Sequence, residues 1–395
     1  MGNMELFGFP LRRWGWLAYA MAASASATST PANRRQADVS ACKLAADPSA
    51  DLSAGFGFAA DCAPSVGTLS AFMMFVDFAD GAATETAESL RDFFLPAAAD
   101  WYAASSYGAL ALNVTADTSR FYRMPAAAAS YGWDRGLSAE AHLEYIQDAL
   151  DAYGQDIAPV DVLYVVPTAD AAAISFSPTY MGDVATRGGA HVAGKAVTFG
   201  YDAYAAWRFL VLNHETGHTM CLPDYYPSDG RETGLFVGGW DLMGLISGPG
   251  PDYFAWDKWR LGWLGDDRIE CVAEAGQSTH VLSPLGVTGG KKAVVVKHNS
   301  TDALVAEVRT AQGLDADVCA TGVLLYTVST ETPSGNGPVK VLDATPGSGG
   351  CAGDELNDAT LSLDGESSYT VADWGIKVTV VETAGDQFTI SVELS

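Results

Sequence analysis

Residues 202–224 read DAYAAWRFLVLNHETGHTMCLPD. The apolar positions recur at helical spacing up to Met220, so His214 and His218 stand at i and i+4, one turn apart on one face. That separation lets two imidazoles reach one tetrahedral Zn²⁺. Glu215 lies beside them, where it can hydrogen-bond an attacking water and take the proton that a metal makes acidic. A catalytic zinc takes a third protein ligand and leaves one position open. The candidate is Asp224, past Pro223, which is expected to end the helix and turn the chain back under the metal. Its charge offsets a dication that two neutral imidazoles leave uncompensated. Asp252 and Asp257, at or on a later helical stretch, are rivals, with helix capping or solvent exposure as their alternatives. The remaining histidines, His142, His191, His280 and His298, are scattered and read as ordinary surface or core residues.

Upstream, 71–76 (AFMMFV) and 160–166 (VDVLYVV) are unbroken apolar runs expected as buried strands, 110–114 is a short strand, and 196–199 is a short edge strand. Helical spacing over 84–105 must bend or split at Pro96. A second helix is expected over 138–153, capped by Ser138, with Leu143, Ile146 and Leu150 on one face. Beyond residue 277 the texture changes to short Val/Thr/Leu-rich runs at 293–297, 303–308, 323–328, 376–381 and 388–394, separated by Gly, Asp and Ser. This predicts an α+β chain: a signal and linker over 1–37, a mixed-sheet domain over 38–265, and a separate β-sandwich-like domain over 266–395.

The stretch from His214 to Tyr225 resembles the HExxHxxGxxD signature of the immune inhibitor A-like metallopeptidases, a metzincin-type family of zincins. GWDLMG at 239–244 is similar to that family's Met-turn, and AWDKWRLGWL at 255–264 resembles the helix after it. Upstream, VDFAD at 76–80 and the segment from Trp101-Tyr102 to Ser106-Tyr107-Gly108 also look like family landmarks, so the resemblance covers most of 70–265 and continues weakly over 304–326. It implies a zincin-like catalytic domain in which His214, His218 and Asp224 bind zinc, Glu215 is the general base, and Met243 forms an apolar floor without ligating. One position departs: Cys221 stands where the family has the glycine of the turn between second and third ligands, and a left-handed residue is cheap only for glycine. A zinc aminopeptidase, which takes a later glutamate as third ligand, and a non-catalytic binding protein on a zincin scaffold are the alternatives to a zinc endopeptidase. Tyr226 and Tyr253 are candidates for stabilising an oxyanion.

The 395 residues carry a net charge of -26, which disfavours nucleic acid and anionic membranes as partners, while 48% apolar against 18% charged residues excludes a disordered acidic chain. Protein or peptide substrates and a monomer are expected. Arg12 and Arg13, an apolar stretch over 14–23 and small residues over 23–27 have the order of an export signal, and no later segment looks membrane-spanning. Six cysteines in a secreted chain predict three disulfides, expected in sequential order as Cys42–Cys62, Cys221–Cys271 and Cys319–Cys351. Asn113 and Asn299 head glycosylation sequons, and Asp77 with Asp80 at a strand end are a candidate Ca²⁺ pair beside a plain loop reading.

Overall fold

The computed structural model describes residues 38–50, 52–57 and 62–395; the expected export signal and linker over 1–37 lie outside them. The chain builds three sheets and few helices, a mixed α/β arrangement. The first sheet contains β1 (Gly67–Asp77), β2 (Leu110–Ala116), β3 (Tyr122–Arg123), β4 (Val160–Pro167), β5 (Thr179–Tyr180), β6 (Val184–Ala185) and β7 (His191–Thr198), in the order β2-β1-β4-β7-β5 with β3 beside β1 and β6 beside β7. The long strands β1, β2, β4 and β7 are parallel, and β5 and β6 run antiparallel to β7.

The apolar runs are continuous because this sheet is covered on both faces. Alternate residues Met74, Val76, Leu163 and Val165 pack on one side, while Met73, Phe75, Tyr164 and Val166 join the core on the other. The expected helix over 84–105 splits at Pro96 into α1 (Ala87–Phe94), capped by Thr86, and α2 (Ala97–Ser105). α3 (Ala139–Tyr153) starts at the expected cap, where Ser138 Oγ accepts the Ala141 N–H at 3.2 Å, but its buried face is His142, Tyr145, Ile146, Ala149 and Leu150, with Leu143 only half-buried. α4 (Phe209–Thr219) and α5 (Ala255–Arg260) complete the set. The strand at 196–199 is not an edge: β7 lies inside the sheet, because β5 and β6 fold back to cover it. The edge is β5.

The remaining strands are β8 (Ile269–Val272), β9 (Gly276–Leu282), β10 (Ala293–Lys297), β11 (Asp302–Arg309), β12 (Gly322–Ser329), β13 (Val339–Val341), β14 (Ser368–Val371), β15 (Ile376–Ala384) and β16 (Gln387–Leu394). They form a five-stranded sheet, β13-β12-β11-β10-β8, and a four-stranded sheet, β14-β15-β16-β9. The two pack face to face through Val294, Val296, Leu304 and Leu325 against Ile376, Val378, Ile390 and Val392. The other face of the five-stranded sheet is also buried: Val295, Val305, Leu324 and Tyr326 share one core with Phe254 and Trp256. Among the described residues, the position expected as a domain boundary, after residue 265, therefore lies within a single compact unit.

The N-terminal segment corrects the expected cysteine pairing. Cys42 bonds Cys271 and Cys62 bonds Cys221, while Cys319–Cys351 is as expected. Sequential pairing assumes a segment folded on itself. Here described residues of the segment reach distant parts of the chain, with Trp256 Nε1 donating to Ala54 O at 2.7 Å and Ser53 Oγ donating to Thr330 O at 3.1 Å. No helix among the described residues is long and apolar enough to cross a membrane, and three disulfides suit an oxidising environment.

Candidate metal centre and active site

The helical pattern over 202–220 is delivered in two pieces: a π-helical turn over Ala203–Trp207, a break at Arg208 (φ 52°), and α4. Every residue from Val211 to Thr219 is buried, so the polar stretch Asn213–Thr219 is not a solvated face.

α4 does not run on to Pro223. It ends at Thr219, one residue after His218, and beyond it the Leu222 N–H bonds Gly217 O at 3.1 Å, the Cys221 N–H bonds His218 O at 2.8 Å, and Cys221 takes a φ of 66°. That is a Schellman cap with cysteine at the left-handed position. The reversal places the Leu222 carbonyl at the His218 ring, whose Nδ1 is 2.8 Å from Leu222 O, while His214 Nδ1 is 2.8 Å from Leu242 O. A carbonyl only accepts, so each Nδ1 carries the proton and each neutral ring presents a bare lone pair at Nε2. Both lone pairs face one atom: Asp224 Oδ1 lies 3.2 Å from His214 Nε2 and 3.1 Å from His218 Nε2. That oxygen is buried and has no hydrogen-bond donor.

Three converging acceptors repel unless a cation sits among them. A proton is one answer: burial draws the His218 pKa down, but the Asp224 carboxylate outweighs it and raises it from 6.5 to about 9. Asp224 moves the opposite way, since burial raises it but the two imidazoles outweigh burial and hold it far below the carboxylate range. One proton on His218 serves Asp224 Oδ1 as well, through an Nε2–H donated at 3.1 Å, but leaves His214 Nε2 facing that same oxygen, whereas a divalent cation serves all three. The separations also fit, because bonds of ~2.0–2.1 Å to a tetrahedral zinc place ligand atoms about 3.3 Å apart. Asp224 is fixed from a distant part of the chain: its N–H donates to Ser334 Oγ at 2.9 Å, and Gly335 N–H donates to its carbonyl at 3.0 Å.

Glu215 is buried next to the imidazoles, and its ligand atom lies within 4.8 Å of theirs. Thr179, on the edge strand β5, donates its hydroxyl to Glu215 Oε2 at 2.8 Å. Burial raises the Glu215 pKa, opposed first by His214 and His218 and then by the Thr179 hydrogen bond. Met243 is fully buried beneath α4, and a Cβ at Gly217 would come within 2.8 Å of its Sδ, so only glycine permits that approach. The turn carrying Met243 is pinned by the buried Asp241 carboxylate, which accepts the N–H groups of Met243 at 2.7 Å and Phe254 at 2.6 Å.

The tyrosine candidates separate. Tyr253 is fully buried and donates to Asn213 O at 3.2 Å, a structural position, whereas Tyr226 lines the cleft with its ring 6.0 Å from His214. The rival carboxylates are spoken for: Asp252 pairs with Lys258 at 2.5 Å, and Asp257 pairs with Arg260 at 2.9 Å and accepts from Tyr225 Oη at 2.6 Å. Asp77 is bound by Arg123 at 2.7 Å, and the exposed Asp80 accepts the Ala128 N–H at 2.7 Å. Of the other histidines, His142 is buried against Thr198 Oγ1 at 3.0 Å and His298 stacks on Trp374 at 4.5 Å. Asn113 and Asn299 are exposed.

His214 and Glu215 line a pocket of about 570 Å³ with Trp207, Val211, Tyr226, Leu245 and Ile246, and a second pocket, of about 1300 Å³, runs past Thr179, Tyr180 and Cys221. Thr179, Ser334 and the Cys62–Cys221 bond escape a reading of the sequence, and only the displaced glycine at Cys221 marks the last. No family model and no curated protein matches the chain.

Proposed function

We propose that the chain is a secreted zinc-dependent endopeptidase on a zincin-type scaffold, of the immune inhibitor A-like class that its motifs resemble. The observation that carries this reading is the convergence of His214 Nε2, His218 Nε2 and the unpartnered Asp224 Oδ1 beside a buried glutamate at a cleft. These three side chains would hold the metal. A bound Zn²⁺ supplies Lewis acidity, polarising a peptide carbonyl and lowering the pKa of a water towards neutrality. Glu215 takes the proton of the attacking water and returns it to the leaving amine; Thr179 occupies Oε2, so Oε1 is the oxygen that cycles. The Leu222 and Leu242 carbonyls fix the tautomers and ring planes, as outer-shell acceptors do for metal-bound histidines. An extended substrate pairs with the backbone of β5, and Tyr226 is the cleft hydroxyl available to a developing oxyanion.

The test is a metal analysis of the purified protein together with cleavage of an internally quenched peptide blocked at both ends. One equivalent of zinc is expected, with cleavage abolished by a chelator and restored by added zinc. Absence of stoichiometric zinc, or cleavage only when the amino terminus is free, overturns the reading.

A further inference from the structure

The third arm of the metal site depends on a residue in a conformation its side chain disfavours. Cys221 takes a φ of 66°, where a residue with a Cβ is disfavoured roughly 5- to 30-fold relative to glycine. Everything after it follows from that rotation: Leu222 O reaches His218 Nδ1 at 2.8 Å, and three residues past the turn Asp224 Oδ1 reaches both Nε2 atoms. Cys221 Sγ is bonded to Cys62, and the next residue, Ala63, donates its N–H to Thr219 O at 2.8 Å. Residues 62 and 63 thus grip the helix end at the left-handed residue and two positions before it. The other two disulfides, Cys42–Cys271 and Cys319–Cys351, attach nowhere between His214 and Asp224.

We infer that Cys62 and Cys221 are a positioning pair for the metal site, their disulfide holding the left-handed turn that a glycine would hold by itself. The inference rests on the metal reading proposed above. Released from Cys62, Cys221 relaxes towards right-handed or extended backbone, carrying the Leu222 carbonyl off His218 and the Asp224 carboxylate off both imidazoles. The covalent bond and the Ala63 hydrogen bond oppose that relaxation; in a chain with glycine at 221 there is nothing to oppose. The disulfide here therefore acts on six residues of one turn and not merely on chain entropy.

The test measures zinc affinity by competition with a fluorescent chelator, in the full chain. Cys62→Ala/Cys221→Ala removes the bond and leaves a side chain at the left-handed position; Cys62→Ala/Cys221→Gly removes the bond and the conformational penalty together. The alanine pair is expected to bind zinc about tenfold more weakly than wild type, and the glycine pair within about threefold of it. In the metal-free state the glycine pair should also melt at the higher temperature of the two. Wild-type affinity in the alanine pair, or the same loss in both pairs, overturns the inference. Should the alanine pair fail to fold, the glycine pair decides alone, a tenfold loss counting against. A wild-type chain that takes up no zinc fails the metal reading itself, a result distinct from either.

Discussion

The cluster around His214 and the cluster around Arg309 are both buried and both built from ionisable side chains. Around Arg309 the charges alternate: Nε meets Glu307 at 2.6 Å, Nη1 meets Asp315 at 3.0 Å, and Glu307 Oε2 accepts from Tyr326 Oη and from the Ala255 N–H, each at 2.7 Å. Close by in sequence to Ala255, Lys258 meets Asp252 and Arg260 meets Asp257. Around His214 the groups do not alternate, since two imidazole lone pairs and a carboxylate oxygen face one another. Buried charges compensated within the chain hold parts together; buried acceptors left to converge create a place for a cation from outside. The first cluster joins α5 to β11, and the second joins α4 to the turn after it.

The largest expected effect tests whether the Arg309 cluster is architectural across the two halves. The strand pattern alone leads one to expect that a fragment from Gln277 folds by itself. The structure predicts that it does not, because Val295, Val305, Leu324 and Tyr326 would lose Phe254 and Trp256, and Glu307 would lose the Ala255 N–H. Circular dichroism should show no cooperative melt; a native-like β spectrum with a sharp transition would separate the halves after all.

Next come two substitutions that should act in opposite currents. Glu215→Gln should lower kcat by about 10²–10⁴-fold while zinc content and melting temperature stay at the wild-type level, because the amide cannot take a proton. Arg309→Met should destabilise the fold by ~3–5 kcal/mol, through the uncompensated Glu307 and Asp315, yet leave zinc bound in the folded fraction. Denaturant titration and metal analysis on both variants check the pair; zinc loss in Glu215→Gln or unchanged stability in Arg309→Met would erase the distinction between the clusters.

The same contrast can be drawn between two aspartates. Asp224→Ala should weaken zinc binding by more than the ~10–100-fold typical of outer-shell partners, whereas Asp257→Ala should keep stoichiometric zinc and lose stability, since Arg260 and Tyr225 are left without their carboxylate. Zinc retained in Asp224→Ala and lost in Asp257→Ala would move the metal to α5.

The smallest effect is a pH dependence from outside both clusters. Burial lowers the His142 pKa from 6.5 to about 4. The unfolded chain therefore binds the extra proton first, so His142 favours folding above pH 6.5, and that advantage falls away as pH drops from 6.5 to about 4, by up to ~3 kcal/mol. Comparing denaturant midpoints of wild type and His142→Gln across that range isolates it; parallel curves would show that the ring is wetter than its burial implies.

What the sequence determined by itself was local. The i, i+4 histidines with Glu215, the Ser138 cap, the split at Pro96 and the apolar runs of β1 and β4 are each encoded in neighbouring residues whose periods and caps act within a turn or two. Asp224 was also legible as a candidate, because it sits only a short turn from α4. The edge at β5, the pairing of Cys62 with Cys221, the Ser334 contact to Asp224 and the core shared by Tyr326 with Trp256 were settled only by the tertiary structure. Each joins residues far apart in the chain, and no residue's own propensity says which of many compatible surfaces will pack against it. Cys221 lies at the junction: the sequence marked the missing glycine, and only the fold supplied the cysteine that stands across from it.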